Sequence, residues 1–284
     1  MKRVLTVAIC LLPAILLANS PLDDSFKKLQ DKYGGKIGVY SINNSNESLI
    51  GYNENYHFPI CSVFKFLLVG AVLDKDMQNE GFLNKKILIT KKDIANLGYT
   101  PVTGKNVGKY LTIYQLCFAA ILSDNAAGNI LIKQIGGLSK LNQFTKKLGD
   151  ENTIINNYEP KVNNTTPESN INKTTPKNIT QDINELIFGN TLDDKHKNIF
   201  IKWLQDNNTG TNRIAFNAPK DWIVGDKTGT CGEYGSTNDV AILWSPNQKN
   251  SIALGVLYTN PEDKNAKNNE KIIQEATKLI TNSI

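Results

Sequence analysis

Pro59-Ile60-Cys61-Ser62-Val63-Phe64-Lys65-Phe66-Leu67-Leu68-Val69-Gly70-Ala71-Val72-Leu73 reads as one apolar helix, opening at Pro59 and running to about Leu73. It is too hydrophobic all round to lie on a surface, so it belongs inside a core. Ser62 and Lys65 are its polar residues. At i and i+3 of a helix they share a face, so the amine can reach the hydroxyl. Burial lowers a lysine pKa and makes some neutral amine available as a base. Ser62 also falls near the helix N-terminus, where free N–H groups can stabilise an oxyanion. Ser-x-x-Lys by itself turns up by chance in a chain of this length, so it needs company.

Outward from this helix, the N-terminal side reads as a short helix, Ser25 to Tyr33, ended by Gly34-Gly35. A strand over Lys36 to Ile42, a turn at Asn43–Asn46 and a second strand over Leu49 to Tyr52 follow. On the C-terminal side, helical patterning dominates to about Leu204. It is broken by a segment between Glu151 and Thr180, rich in Asn, Thr and Pro, which reads as a long surface loop. Strands return at Ile223 to Thr230, Val240 to Trp244 and Ile252 to Tyr258. Ile272, Ile273, Ala276, Leu279 and Ile280 then form the apolar stripe of a last helix. Strands at both ends imply one antiparallel sheet shared by the termini, with the helical middle as a second lobe.

The chain has 284 residues, 40% hydrophobic and 21% charged, the profile of a folded globular protein. Lys2 and Arg3 precede an apolar run from Val4 to Leu17 that ends in Ala18, Asn19 and Ser20, the layout of a signal peptide cleaved near Ala18. The run is short for a membrane span and Pro13 interrupts it. Cys10 lies inside the run, which speaks against a lipoprotein. Without the leader's two positive charges the +5 becomes +3. That excess is spread thinly and points neither to nucleic acid nor to a membrane surface.

Two histidines, His57 and His196, are all the chain has, and neither sits in a catalytic motif. Cysteines and carboxylates show no metal-ligand spacing. A hydrolase built from these residues needs another base, and two further triplets supply the context for Lys65. Ser123-Asp124-Asn125 ends an apolar stretch, and Lys227-Thr228-Gly229 lies in an expected strand. In this order and spacing the three motifs resemble the penicillin-recognising serine enzymes, that is, the penicillin-binding proteins and class A β-lactamases.

That resemblance implies a two-lobe α/β fold of the serine β-lactamase and DD-peptidase type, an antiparallel sheet with flanking helices plus an all-helical lobe. The boundaries expected are 1–18 for the signal peptide, 21–55 with 207–284 for the α/β lobe, and 56–206 for the helical lobe. It also implies roles. Ser62 is the nucleophile and Lys65 its neighbouring base. Ser123 passes a proton to the departing nitrogen, Lys227 and Thr228 hold the substrate carboxylate, and Asn125 binds its side-chain amide. Thr230 adds an oxyanion-hole N–H beside that of Ser62. Tyr99 matches an aromatic wall of the cleft.

Glu159, with Asn163 four residues on, matches the pair that activates a deacylating water. It lies on a stretch, about 151–175, that resembles the Ω-loop. Whether Lys65 or Glu159 is the base for acylation stays open. The ion pair that commonly fastens this loop is replaced here by Asn157 and Asn172. Cys61 precedes the nucleophile and Cys231 follows Thr230. A bridge between them, permitted in an exported protein, resembles the disulfide of class A carbapenemases, and Arg213 fits the arginine of that group that reaches the substrate carboxylate. Cys117 is left as a free core thiol. The resemblance thus implies a secreted, periplasmic, monomeric β-lactam hydrolase with no cofactor. The rivals are a D-alanyl-D-alanine carboxypeptidase or other penicillin-binding protein, and a sensor that is acylated once.

Overall fold

The computed structural model describes residues 21–166 and 169–283, so the expected leader and Cys10 lie outside the described residues. The N-terminal part runs α1 (Pro21–Tyr33), β1 (Lys36–Asn43), β2 (Leu49–Tyr52), β3 (Phe58–Pro59) and α2 (Phe64–Gln78). The middle continues through β4 (Lys86–Leu88), α3 (Lys91–Ile94), β5 (Tyr110–Thr112), α4 (Ile113–Ile121), α5 (Asn125–Ile135) and α6 (Leu138–Lys147). After a long loop come β6 (Lys173–Thr174), α7 (Pro176–Phe188) and α8 (Asp194–Gln205). The chain closes with β7 (Ile223–Thr230), β8 (Thr237–Trp244), β9 (Ser251–Thr259) and α9 (Glu270–Thr281).

The sheet is antiparallel in the order β2-β1-β9-β8-β7, so the two chain ends do share it. Every residue of β8 and β9 is buried, because both faces are covered. On one face Ile37, Val39, Leu254 and Val256 pack with Phe26 of α1 and Ile273 and Ile280 of α9. On the other, Val240, Ile242 and Leu257 join the core of the helical lobe around Phe66, Leu67 and Phe200. The site lies where β7 meets this lobe.

The helix expected from Pro59 starts later. Phe58 and Pro59 pair instead with Thr174 and Lys173, in a two-residue strand where proline's missing N–H is tolerated. Cys61 then takes φ +48, a conformation that no helix interior accepts. Cys61–Val63 form a 3₁₀ turn and the α-helix proper begins at Phe64. It also runs on past Leu73, because Asp76 is useful at depth, accepting the Leu83 N–H at 2.8 Å and meeting His196 at 3.0 Å. The polar segment stops short of Thr180: Thr175 caps α7 and Pro176 sits in its first turn. The hairpin of β4 and β5 inside the helical lobe is a further addition.

Candidate active site

Ser62 sits at the turn leading into α2, and Gly229 explains how β7 comes so close to it. A Cβ on Gly229 would lie 3.0 Å from the Val63 nitrogen and 3.1 Å from the Ile60 carbonyl oxygen. Glycine alone permits that approach. The disulfide Cys61–Cys231, with its Cα atoms 5.5 Å apart, ties the same two segments covalently.

Lys65 is wholly buried, and four acceptors converge on its Nζ. They are Ser62 Oγ at 3.0 Å, Ser123 O at 2.9 Å, Asn125 Oδ1 at 2.7 Å and Glu159 Oε1 at 2.8 Å. An ammonium has three protons for those four partners. When Lys65 loses one, its lone pair becomes free to accept the Ser62 hydroxyl proton. Burial lowers the Lys65 pKa, while the Glu159 charge and hydrogen bond oppose that shift. The amine therefore gives up its proton more readily than a free lysine does.

Glu159 is buried too, and Asn129 of α5 holds its backbone from both sides. The Glu159 N–H donates to Asn129 Oδ1, and Asn129 Nδ2 donates to the Glu159 carbonyl, each at 2.9 Å. The side chain is clamped by Asn163 Nδ2, which donates to Oε2 at 2.6 Å, and its Oε1 lies 3.4 Å from Ser62 Oγ. At the loop's neck, Asn172 Nδ2 donates to Asn157 Oδ1 at 2.8 Å, and Asn172 Oδ1 accepts the Asn156 N–H at 3.0 Å. The two neutral amides thus close the loop by hydrogen bonds.

Ser123 takes φ +69, which turns its carbonyl to Lys65 and its hydroxyl to Lys227. Lys227 Nζ donates to Ser123 Oγ at 2.5 Å and to the Thr228 carbonyl at 2.6 Å. Burial, then the nearby Lys65 charge, push the Lys227 pKa well down. Asp124 anchors this turn by accepting the N–H groups of Val102, Thr103 and Ala127. Asn125 Nδ2 donates to Leu97 O at 2.7 Å, and the Asn125 N–H donates to Tyr99 O at 2.9 Å, which positions the half-exposed Tyr99 ring.

A cavity of about 300 Å³ opens over these groups, lined by Ser62, Tyr99, Ser123, Asn125, Asn163, Thr209, Arg213, Thr228 and Thr230. Arg213 reaches it through Thr230, donating to Thr230 Oγ1 at 2.7 Å and to the Gly229 and Asn238 carbonyls at 3.1 and 2.7 Å. It also forms an ion pair with Glu270 at 3.1 Å. Cys231 Sγ lies 3.8 Å from Asn163 Oδ1, so the disulfide borders the loop.

Sequence reasoning missed Asn129, although it stands four residues after Asn125 on the same helical face. It also missed Thr209, whose hydroxyl meets that of Thr228 at 2.8 Å. His57 is exposed and outside the cavity, and His196 is held between Asp193 at 2.6 Å and Asp76 at 3.0 Å. Cys117 is a buried free thiol on α4. Among the described residues no group of three or more His, Cys, Asp or Glu could hold a metal ion.

Comparison with known proteins places these features in context. Residues 21–284 match the β-lactamase enzyme family. The chain is 36% identical over 257 residues to a carbapenem-hydrolyzing β-lactamase KPC of Klebsiella oxytoca, covering 90% of this chain and 86% of the relative. Among solved structures, a β-lactamase from Francisella tularensis is 68% identical with a TM-score of 0.89, over 92% of this chain and 97% of its own. A class A β-lactamase from Clostridium kluyveri is 37% identical with a TM-score of 0.87, over the same shares.

Proposed function

Since the chain belongs to the β-lactamase enzyme family, as a class A serine enzyme of the carbapenemase-like kind that hydrolyses β-lactams, we propose that Ser62 opens the lactam and Glu159 drives release of the product. In acylation Ser62 Oγ attacks the lactam carbonyl and its proton passes to neutral Lys65, which lies 3.0 Å away. The N–H groups of Ser62 and Thr230 receive the developing oxyanion. Ser123, bonded to Lys227, gives a proton to the departing ring nitrogen, and Lys227, Thr228 and Thr230 take the substrate carboxylate. Asn125 binds the side-chain amide. In deacylation Glu159 removes a proton from a water held with Asn163, and that water attacks the ester.

The observation that carries this reading is the position of Glu159. Its carboxylate lies 2.8 Å from Lys65 Nζ and 3.4 Å from Ser62 Oγ, clamped by Asn163 at 2.6 Å. A transpeptidase or a one-shot sensor has no need of a buried base at the ester. Mixing the purified protein with a chromogenic cephalosporin tests it: sustained hydrolysis is expected, and a single stoichiometric burst sinks it.

Carbapenems belong among the substrates on this reading. The Cys61–Cys231 bridge fixes the spacing of the turn and β7 around the oxyanion site, and the Klebsiella relative carries that activity in its name. Trapping by a carbapenem without turnover would remove this subclass assignment and leave the hydrolase. Export with cleavage near Ala18 and a periplasmic location complete the proposal, supported by the apolar leader from Val4 to Leu17.

A further inference from the structure

Two acidic side chains lie on the strand pair that carries Lys227, and nothing in the mechanism above uses them. Asp226 of β7 and Asp239 of β8 are exposed to only 3% and 0%. In the register of these strands Thr228 stands opposite Asp239, and Asp226 opposite Ala241. Alternation along β7 puts Asp226, Thr228 and Thr230 on one face, with Asp239 diagonal to Asp226 on that same face. Arg213 approaches this face as well, through its bond to Thr230.

The two carboxyl groups stand at diagonal positions on one face of the strand pair, and each acts on the other's charge. Two neighbouring carboxyl groups shut off from water resist ionising together, so one proton on the pair is favoured. Their other partners decide which residue carries it. Asp239 Oδ2 accepts the Ile214 N–H at 3.0 Å, and the Arg213 charge lies beside it. Both favour the anion, and they hold Asp239 to about 6 against a strong push from burial. Its Oδ1 is buried with no hydrogen-bond partner among the described residues, so it is free to accept a proton shared with Asp226. Asp226 Oδ2 accepts from Asn207 Nδ2 at 3.1 Å, and burial with the adjacent Asp239 keeps the Asp226 acid well above the usual carboxylate range. Lys227 and Arg213 are the positive groups around the pair; Lys65 lies beyond Lys227, and Glu270 pairs with Arg213.

We propose that Asp226 and Asp239 form a proton-sharing positioning pair, Asp226 the neutral donor and Asp239 the anion, that holds Arg213, Thr228 and Thr230 in place for the substrate carboxylate. It rests on the assignment of Lys227, Thr228 and Thr230 to that carboxylate. The anion at Asp239 pins the turn at Ile214 and balances Arg213. The neutral Asp226 keeps a second negative charge away from Lys227, where it would repel the incoming carboxylate. Asn207 carries the arrangement to the cavity wall: its Oδ1 accepts the Thr209 N–H at 3.1 Å, and the Thr209 hydroxyl meets Thr228.

The two conservative substitutions are predicted to be unequal. Asp226→Asn keeps a donor at 226 and the anion at 239, so KM for benzylpenicillin stays within about twofold of the wild type. In Asp239→Asn the new amide must donate toward Asp226, which moves the anion from Arg213 to Lys227. Its KM for benzylpenicillin rises on the order of tenfold, with little change in kcat and none in the KM for the penicillin methyl ester. Equal effects, or a harmless Asp239→Asn, overturn the proposal. A carbon-13 titration of side-chain carboxyls in the wild-type protein, assigned through backbone connectivities, needs neither variant. Asp226 must remain protonated at neutral pH, and an ionised Asp226 overturns the pair whatever the kinetics. A protein that never forms an acyl-enzyme fails the preceding assignment instead, and the titration still decides this one.

Discussion

Replacing Glu159 by Gln separates the two halves of the reaction. The change keeps the shape of the side chain and removes only its ability to take a proton. Gln can still accept from Asn163 through its carbonyl oxygen, so the clamp at 2.6 Å survives in part. Loss of a positioned general base lowers the rate by about 10²- to 10⁴-fold, or roughly 3 to 5 kcal/mol of barrier. That loss falls on deacylation. Acylation is protected for a reason visible at Lys65. Burial lowers its pKa, and the Glu159 charge and hydrogen bond are what oppose that shift. Without the charge the lysine pKa falls further, and more of the amine is neutral and able to take the Ser62 proton at 3.0 Å.

The expected behaviour of Glu159→Gln is therefore a burst of one product per enzyme, followed by very slow turnover. Stopped-flow mixing with a chromogenic cephalosporin reads the burst. Intact mass measurement after quenching reads the adduct on Ser62. A variant that retains more than about a tenth of wild-type kcat refutes Glu159 as the deacylating base. A variant with neither burst nor adduct refutes the division of labour, because Glu159 would then be needed for acylation as well.

Three other outcomes follow from the same geometry. The Cys61–Cys231 bridge spans 170 residues of sequence, so replacing both cysteines by serine lowers stability by about 2 to 5 kcal/mol in a denaturant titration; an unchanged midpoint refutes this. Asn172→Ala removes the hydrogen bonds to Asn157 and to the Asn156 N–H at the loop neck and puts alanine at φ +56, at a combined cost of about 1 to 3 kcal/mol; a loss below about 0.5 kcal/mol by thermal unfolding would show that the neck is held elsewhere. Asp182, buried against Asp150, has its acid pushed well above the usual range by burial and then by the Asp150 charge. The folded state thus binds that proton more tightly than the unfolded chain, and stability falls as pH rises from the unfolded value through the folded one. Asp182→Asn keeps a donor toward Asp150 and removes the fall, so its melting temperature gains on the wild type as pH rises. A constant difference across pH argues against the shared proton.

The parts of the site legible in the sequence are those whose chemistry demands one residue type at one place. Ser62 and Lys65 gain meaning only with Ser123 and Lys227, which come to hydrogen-bond distance in one chain of contacts from 58 and then another 104 residues further along. The last strands were legible where their buried residues form apolar runs, Val240–Trp244 and Ile252–Tyr258. The same property hid the start of α2, since an apolar run around Pro59 looks alike as strand or helix, and the register that separates them is set by Lys173 and Thr174 in the loop. Asn129 was invisible for a related reason. Its role consists of two bonds to the backbone of Glu159, 30 residues away, and backbone partners leave no mark on sequence. Asp226 and Asp239 were invisible because each stands beside a more telling neighbour, Lys227 or an apolar strand. What a single sequence reveals is thus the set of reactive groups that meet around one cavity, whereas the buried groups packed behind them become visible only when the strands are laid side by side.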